Sequence, residues 1–449
     1  MKPKTLEQRL AVFLKARCAS VFRCCASSLG TAFVSAALAQ TVVIPDPGLE
    51  SAIRDTLNQP SGELIVGEIQ SLTTLDASRR NVSNLTGLGA AHNLVTLDIS
   101  FNQLTSAVVP EGLTNLAILK LRGNQLANLT LPADLTSLGY LYLSENQLTD
   151  FSFLAGLTNL FLLELENNDL ITVTFPPGLT NLVSIDLAYN QLSDLSFLSG
   201  RTKLEYLYLD DNNLTNADLV AGLTNLTALT LGINRLNNFS FLSSLPNLTY
   251  LDLAANRPSS LVLPTCLTNL EWINLSENRL ANLVLPSGLT RLTVLHLFDN
   301  LLTDTSFLSG LSNLGGLDLA MNQLVEVTLP PAMTNLVAWD LRWNPLETLI
   351  LPEVLAAGPL AAATDSLRQT GVSVYTYPLT ARLTQATRSL AGAFHFTLQG
   401  PPGVWHVVAA VDLANWIALG AMTNHFGTVK FTDQNAAPRE RTFYRVMQP

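Results

Sequence analysis

The sequence predicts an α/β solenoid, a curved parallel sheet backed by short 3₁₀ or extended segments, followed by a small all-β sandwich. Three observations carry this reading. A 22-residue period runs through most of the 449 residues, leucine holds fixed places within it, and after about residue 378 the period gives way to short alternating strands.

The period is read from the pattern L-x-x-L-x-L-x-x-N-x-L. Its asparagines are Asn102, Asn124, Asn146, Asn168, Asn190, Asn212, Asn234, Asn256, Asn278, Asn300, Asn322 and Asn344, each 22 residues from the next. A preceding unit, LTTLDA at 72–77, keeps the leucine register but has Arg80 at the asparagine position. Counting it gives thirteen units over 72–352. This wording is identified as the leucine-rich repeat signature.

The L-x-L core reads as a short strand, so alternate side chains share a face. In the third unit Leu119 and Leu121 point inward and Ile118, Lys120 and Arg122 outward. One coil cannot bury its own leucines. Stacked coils can, at about 1.5–3 kcal/mol for each buried leucine. The asparagines are structural. An amide with donors and an acceptor can satisfy the backbone where the chain turns inside a nearly dry core. The convex side comes in two wordings, one ending in proline (129–132, 175–176, 283–286, 349–352), the other F-x-F-L or close to it (151–154, 195–198, 239–242). Neither has room for a long helix. Pro258 stands at a core leucine position.

An open stack needs caps. Asp46-Pro47 reads as a helix N-cap followed by proline at the first helical position. Leu49, Ile53 and Leu57 then fall on one face of a helix over 47–58, within an N-terminal cap spanning 40–71. Residues 353–378 read as the C-terminal cap, partly helical over 355–369, with a last strand at 372–377. Residues 379–449 read as the sandwich, with strands at 394–398, 404–411, 416–421, 427–431 and 442–447 and turns at 400–403 and 433–439.

Residues 1–39 read as an export signal. A basic n-region precedes a small apolar h-region, and Ala37-Leu38-Ala39 fits a cleavage site. This segment carries six basic residues and one acidic residue, so its removal takes the net charge from −10 to −15. Three of the four cysteines leave with it, and Cys266 remains alone. The expected location is exported: secreted, periplasmic or cell surface. The acidic balance argues against nucleic acid, and no later apolar run is long enough for a membrane span.

The run IPDPGLESAIRDTLNQPSGEL, then LTTLDASRRNVSNLTGL, then units such as FSFLAGLTNLFLLELENNDL, resembles the internalin-like leucine-rich repeat proteins of bacteria. The resemblance implies a helical cap, 22-residue coils and partner binding on the concave face. The chain departs from that family in its proline-bearing coils and has no LPxTG motif. The run GPPGVWHVVAAVDLANWIALG resembles a C-terminal module of exported bacterial proteins, close in style to immunoglobulin-like or fibronectin-type domains.

No catalytic, metal or cofactor constellation is found. The histidines His92, His296, His395, His406 and His425 have no zinc spacing, and neither G-x-S-x-G nor a phosphate loop occurs. The chain therefore reads as a scaffold and not an enzyme. Its candidate partner-binding residues are the outward strand positions Tyr140, Tyr142, Glu164, Glu166, Asp186, Tyr206, Tyr208, Asp210, Tyr250, Asp252, Trp272 and Phe298, together with Asp299 and Trp343. Tyrosine and tryptophan beside acids suit a protein or peptide ligand, basic in character. The alternatives are glycan binding, through these aromatics or Trp405 and Trp416, and a purely architectural envelope role.

Overall fold

The computed structural model describes residues 40–389, 392–436 and 441–448. The expected signal segment lies outside the described residues, as does part of the 433–439 turn. Thirteen three-residue strands, from Thr74–Asp76 to Ala338–Asp340, form one parallel sheet in coil order. The coils are numbered 1 to 13 by these strands. Register advances by 22 residues per strand, as in Leu119↔Leu141 and Leu141↔Leu163. The ladder outlasts the strands: the N–H of Leu143 bonds to Glu164 O at 2.9 Å and that of Glu145 to Glu166 O at 2.8 Å. Leu119, Leu121, Leu141, Leu143, Leu163 and Leu165 are fully buried, so the leucine register is the one the L-x-L wording dictates.

The convex side follows a nearest-neighbour rule. Coils worded F-x-F-L form 3₁₀ segments, such as Ser152–Leu154, Ser196–Leu198 and Ser240–Ser244. Proline-ended coils form strands only where two of them are adjacent, giving three parallel pairs: Ser106–Val108 with Asn128–Thr130, Ser260–Val262 with Asn282–Val284, and Glu326–Thr328 with Thr348–Pro352. Residues 173–176, also proline-ended, sit between 3₁₀ coils and form no strand. An extended segment needs an extended neighbour to take its N–H and C=O groups. There Phe175 bridges the coils instead, with its ring edge-on to Phe151 and to Phe197, both at 5.6 Å.

All twelve repeat asparagines donate alike, and eleven of them also accept alike. Asn146 Nδ2 donates to Leu143 O of its own coil and Leu121 O of the coil before, both at 3.0 Å, and its Oδ1 accepts the Leu126 N–H at 3.0 Å. Each amide thus ties two consecutive coils. Asn190 carries more, accepting from both Asn168 N and Leu170 N at 3.0 Å. Pro258 occupies the place that normally donates to the next asparagine. It has no N–H, and Asn278 Oδ1 accepts from Asn256 N at 3.0 Å instead. The buried proline therefore costs one rung contact without breaking the ladder.

At the N-terminus, α1 (Pro47–Leu57) buries Leu49, Ala52 and Ile53 against the first coil, and the short α2 (Val66–Ile69) follows. Asp46 does two jobs. One carboxylate oxygen caps α1 through Leu49 N at 2.9 Å, and the other accepts from Ser83 N, Ser83 Oγ and Asn84 N. Burial alone would raise its pKa, but these hydrogen bonds hold it below the ordinary aspartate value. Coil 1, which has Arg80 in place of asparagine, is secured this way, while Asn102 Oδ1 accepts from Arg80 N and Val82 N.

At the C-terminus, α3 (Glu353–Ala356) and α4 (Ala361–Gln369) lead to the strand Ser373–Tyr377, which pairs in parallel with Thr348–Pro352. Tyr377 is fully buried and its hydroxyl donates to Leu329 O at 2.6 Å. Beyond it stand two three-stranded antiparallel sheets. Phe396, Leu398, Trp405, Val407 and Met422 form the core between them. Strand Arg382–Arg388, absent from the sequence expectation, is one sheet's edge. It is mostly exposed, so no alternating apolar pattern announced it. The module abuts the last cap strand: Tyr375 packs on Phe426 at 4.7 Å, and a Cβ on Gly427 would stand 2.8 Å from Thr376 O.

Replacing Asn190 with alanine orphans the N–H groups of Asn168 and Leu170, while Leu165 O and Leu187 O each keep one asparagine donor, Asn168 Nδ2 and Asn212 Nδ2. The expected cost is about 1–3 kcal/mol by chemical denaturation. A change near zero would contradict the ladder's role in stability.

Candidate functional site

The concave face is ordered in lateral rows, because every strand advances by one fixed register. The first strand position reads Thr74, Thr96, Ile118, Tyr140, Leu162, Ser184, Tyr206, Ala228, Tyr250, Trp272, Val294, Gly316 and Ala338. This row is aromatic and aliphatic in its middle. Tyr250 and Trp272 stack with ring centroids 4.1 Å apart, and Trp272 meets His296 at 5.5 Å. The third strand position reads Lys120, Tyr142, Glu164, Asp186, Tyr208, Thr230, Asp252 and Asn274 over coils 3 to 10. Glu166, Asp210 and Phe298 stand two residues past the strand ends, on the continued ladder, in a third row.

Charge is unevenly spread along the arc. Cations gather in coil 3, where Lys120 pairs with Asp98 at 3.5 Å and Arg122 with Glu145 at 2.6 Å and Glu166 at 3.9 Å. In coils 6 to 9 the carboxylates rely on uncharged donors. Asp186 accepts from Ala188 N, and Asp252 from Ala254 N and Asn274 Nδ2. Asp210 accepts from Gly232 N and Thr230 Oγ1. Among the described residues no ion pair joins Asp186, Asp210 or Asp252 to a basic side chain. Burial pushes Asp186 and Asp210 up to about 7, and neighbouring carboxylates add to the rise. Burial raises Asp252 as well. A Cβ on Gly232 would stand 2.9 Å from Asp210 Oδ1 and 3.3 Å from Asp252 Oδ1, so these two carboxylates converge over the small residues of coil 8.

The twelve expected partner-binding residues therefore share one face. Asp299 and Trp343 do not. Each immediately precedes a ladder asparagine, where the chain turns with φ between +49 and +66 in every coil from 2 to 13. They lie on the rim beyond the strands, because the left-handed turn ends the strand alternation. The same rim exposes Tyr189 and Ile233, each 50% accessible, on either side of Asp211. These two were missed by sequence reasoning. Their signal was a bulky apolar residue at a left-handed position, where glycine, asparagine and aspartate are favoured. Trp405 is in the core of the C-terminal module and donates to Pro401 O, whereas Trp416 donates to Leu413 O at the surface. No group of three or more His, Cys, Asp or Glu side chains that could hold a metal ion stands among the described residues, and no described helix is long and apolar enough to cross a membrane.

The raised aspartates make a signed prediction. A carboxyl whose folded pKa is about 7, against 3.8 in the unfolded chain, keeps its proton in the folded state between those values. Its contribution to stability is then present at acid pH and is lost as pH rises through about 7. Asp46 and Asp76, held below the ordinary value, lose theirs only under about pH 4. The melting temperature should therefore rise between about pH 8 and about pH 5, and the rise should flatten in Asp186→Asn/Asp210→Asn. A melting temperature that falls across that window contradicts the burial of these carboxyls.

The family model described as "Leucine Rich repeats (2 copies)" matches residues 268–310, and "Leucine Rich Repeat" matches 93–116. No curated protein matches the chain. Among solved structures, an internalin (inlF) from Listeria monocytogenes is 25% identical over 74% of this chain and 94% of its own, with a TM-score of 0.51. YopM, a leucine-rich effector protein from Yersinia pestis, is 25% identical over 67% of this chain and 83% of its own, with a TM-score of 0.53. The functional domain of InlJ from Listeria monocytogenes, at 20% identity, covers 81% of this chain and 96% of its own with a TM-score of 0.58, and shows the shared fold. The chain is a leucine-rich repeat protein with an internalin-like solenoid.

Proposed function

We propose that the protein is an exported recognition scaffold that binds a protein or peptide on its concave face and performs no catalysis. The observation that carries this is the ordering of that face into rows: an apolar, aromatic row beside two rows that hold the carboxylates of coils 5 to 9, with no described element of the chain covering them. Solenoid stability asks only that the inward leucines be buried. It does not ask for Tyr206, Tyr208, Tyr250 and Trp272 on outward positions within coils 7 to 10. Aromatic residues with polar handles are enriched at protein interfaces. Thirteen strands at about 4.8 Å spacing give an arc of roughly 60 Å, enough for a protein-sized ligand. The internalin resemblance points the same way. We further assign residues 40–71 and 353–378 as caps and 379–449 as a separate module.

The reading is tested by selecting binders from a random dodecapeptide display library on the intact protein and re-measuring them on Tyr208→Ala/Tyr250→Ala/Trp272→Ala. Most binders should lose about tenfold or more in affinity, as when central aromatic anchors are truncated. Binders that hold the variant as tightly as the parent would place recognition elsewhere.

A further inference from the structure

We propose that the occupant of the concave face is an extended cationic segment, laid across coils 4 to 10 with alternate side chains facing the aromatic row and the acidic row. This rests on the recognition reading above and adds the chemistry of the ligand.

Charge complementarity carries it. In coils 5 to 10 the three outward positions per coil hold five carboxylates, Glu164, Glu166, Asp186, Asp210 and Asp252, and no lysine, arginine or histidine. The face's own cations lie outside this stretch, in coil 3 and from coil 11 onward. Half-buried carboxylates normally find a basic partner. Here Asp186, Asp210 and Asp252 have only backbone and uncharged side-chain donors. A lysine or arginine from outside would supply the missing countercharge.

Geometry sets the form of the segment. On each strand Glu164, Asp186 and Asp252 stand two residues, about 6.6 Å, from the aromatic row, and Glu166 and Asp210 stand two residues beyond them. An extended chain running along the arc between the aromatic row and these carboxylates points successive side chains to opposite sides. Coils 4 to 10 span about 29 Å, the length of roughly nine extended residues. Coil 8, with Ala228, Thr230 and Gly232 outward, adds no bulk of its own, so Asp210 and Asp252 lean over it and present their carboxylates together at the centre of the stretch. Tyr189 and Ile233 add an apolar rim beside the acidic rows.

The test uses labelled decapeptides on the full chain, read by fluorescence anisotropy. An alternating Lys-Leu peptide should bind about tenfold or more tightly than both its Glu-Leu counterpart and a block peptide of five lysines then five leucines. Asp186→Asn/Asp210→Asn/Asp252→Asn should lose about tenfold in affinity for the alternating peptide. Asp150→Asn/Asp194→Asn/Asp304→Asn removes as many carboxylates from the convex side and should change it by less than about twofold. Both variants are first shown folded by thermal melting. Equal losses in the two variants, or equal binding of the alternating and block peptides, would overturn the proposal. Should display-selected peptides still need Tyr250 and Trp272 while the Lys-Leu peptide shows no preference, recognition stands and the cationic ligand falls. Wild-type dimers that become monomeric in Trp272→Ala would assign the face to a second copy and also overturn it.

Discussion

The structure depends on one constraint: a chain that turns every 22 residues inside an apolar interior must satisfy its backbone there without water. Leucine burial drives the coils together, but burial has no direction and would tolerate many stackings. The asparagine amide supplies the direction. Its two donors and one acceptor reach carbonyls and an N–H in two consecutive coils, so a coil that slipped by one residue would strand several buried polar groups at once. Because the link joins neighbours only, it propagates a single register through thirteen strands. The concave face inherits its straight rows from that register.

The two ends and the one proline show how the constraint is met when the amide is missing. Coil 1 has no ladder asparagine, and the cap aspartate Asp46 reaches across to hold Ser83 and Asn84. At Pro258 the donor is lost, and the next amide turns to Asn256 N. The convex side is free of the constraint and varies accordingly. There, secondary structure is decided between neighbours, so the same proline-ended wording gives paired strands in adjacent coils and none when flanked by 3₁₀ segments.

This contrast explains what could be read from the sequence. The sheet, its register and the inward leucines follow from a strict period, and the twelve proposed contact residues fall on one face for the same reason. The rim did not yield to the alternation rule. Asp299 and Trp343 look outward in a two-residue count, but the left-handed turn before each asparagine resets that count. The cation-poor stretch was only partly legible. Asp210 and Asp252 are far apart in sequence, and their convergence over coil 8 depends on small side chains in a coil that carries no signal of its own. The exposed strand at 382–388 was silent for lack of apolar residues.

Hydrogen exchange at individual amides tests the central claim most directly. If the ladder carries the register, the N–H groups of Leu126, Leu148, Leu170 and Leu192, each held by the next coil's amide, should exchange uniformly slowly, at the rate of global unfolding. In Asn190→Ala, Leu170 should lose protection first. Rapid exchange at these amides in the parent, matching exposed turn glycines such as Gly156 and Gly200, would contradict the account.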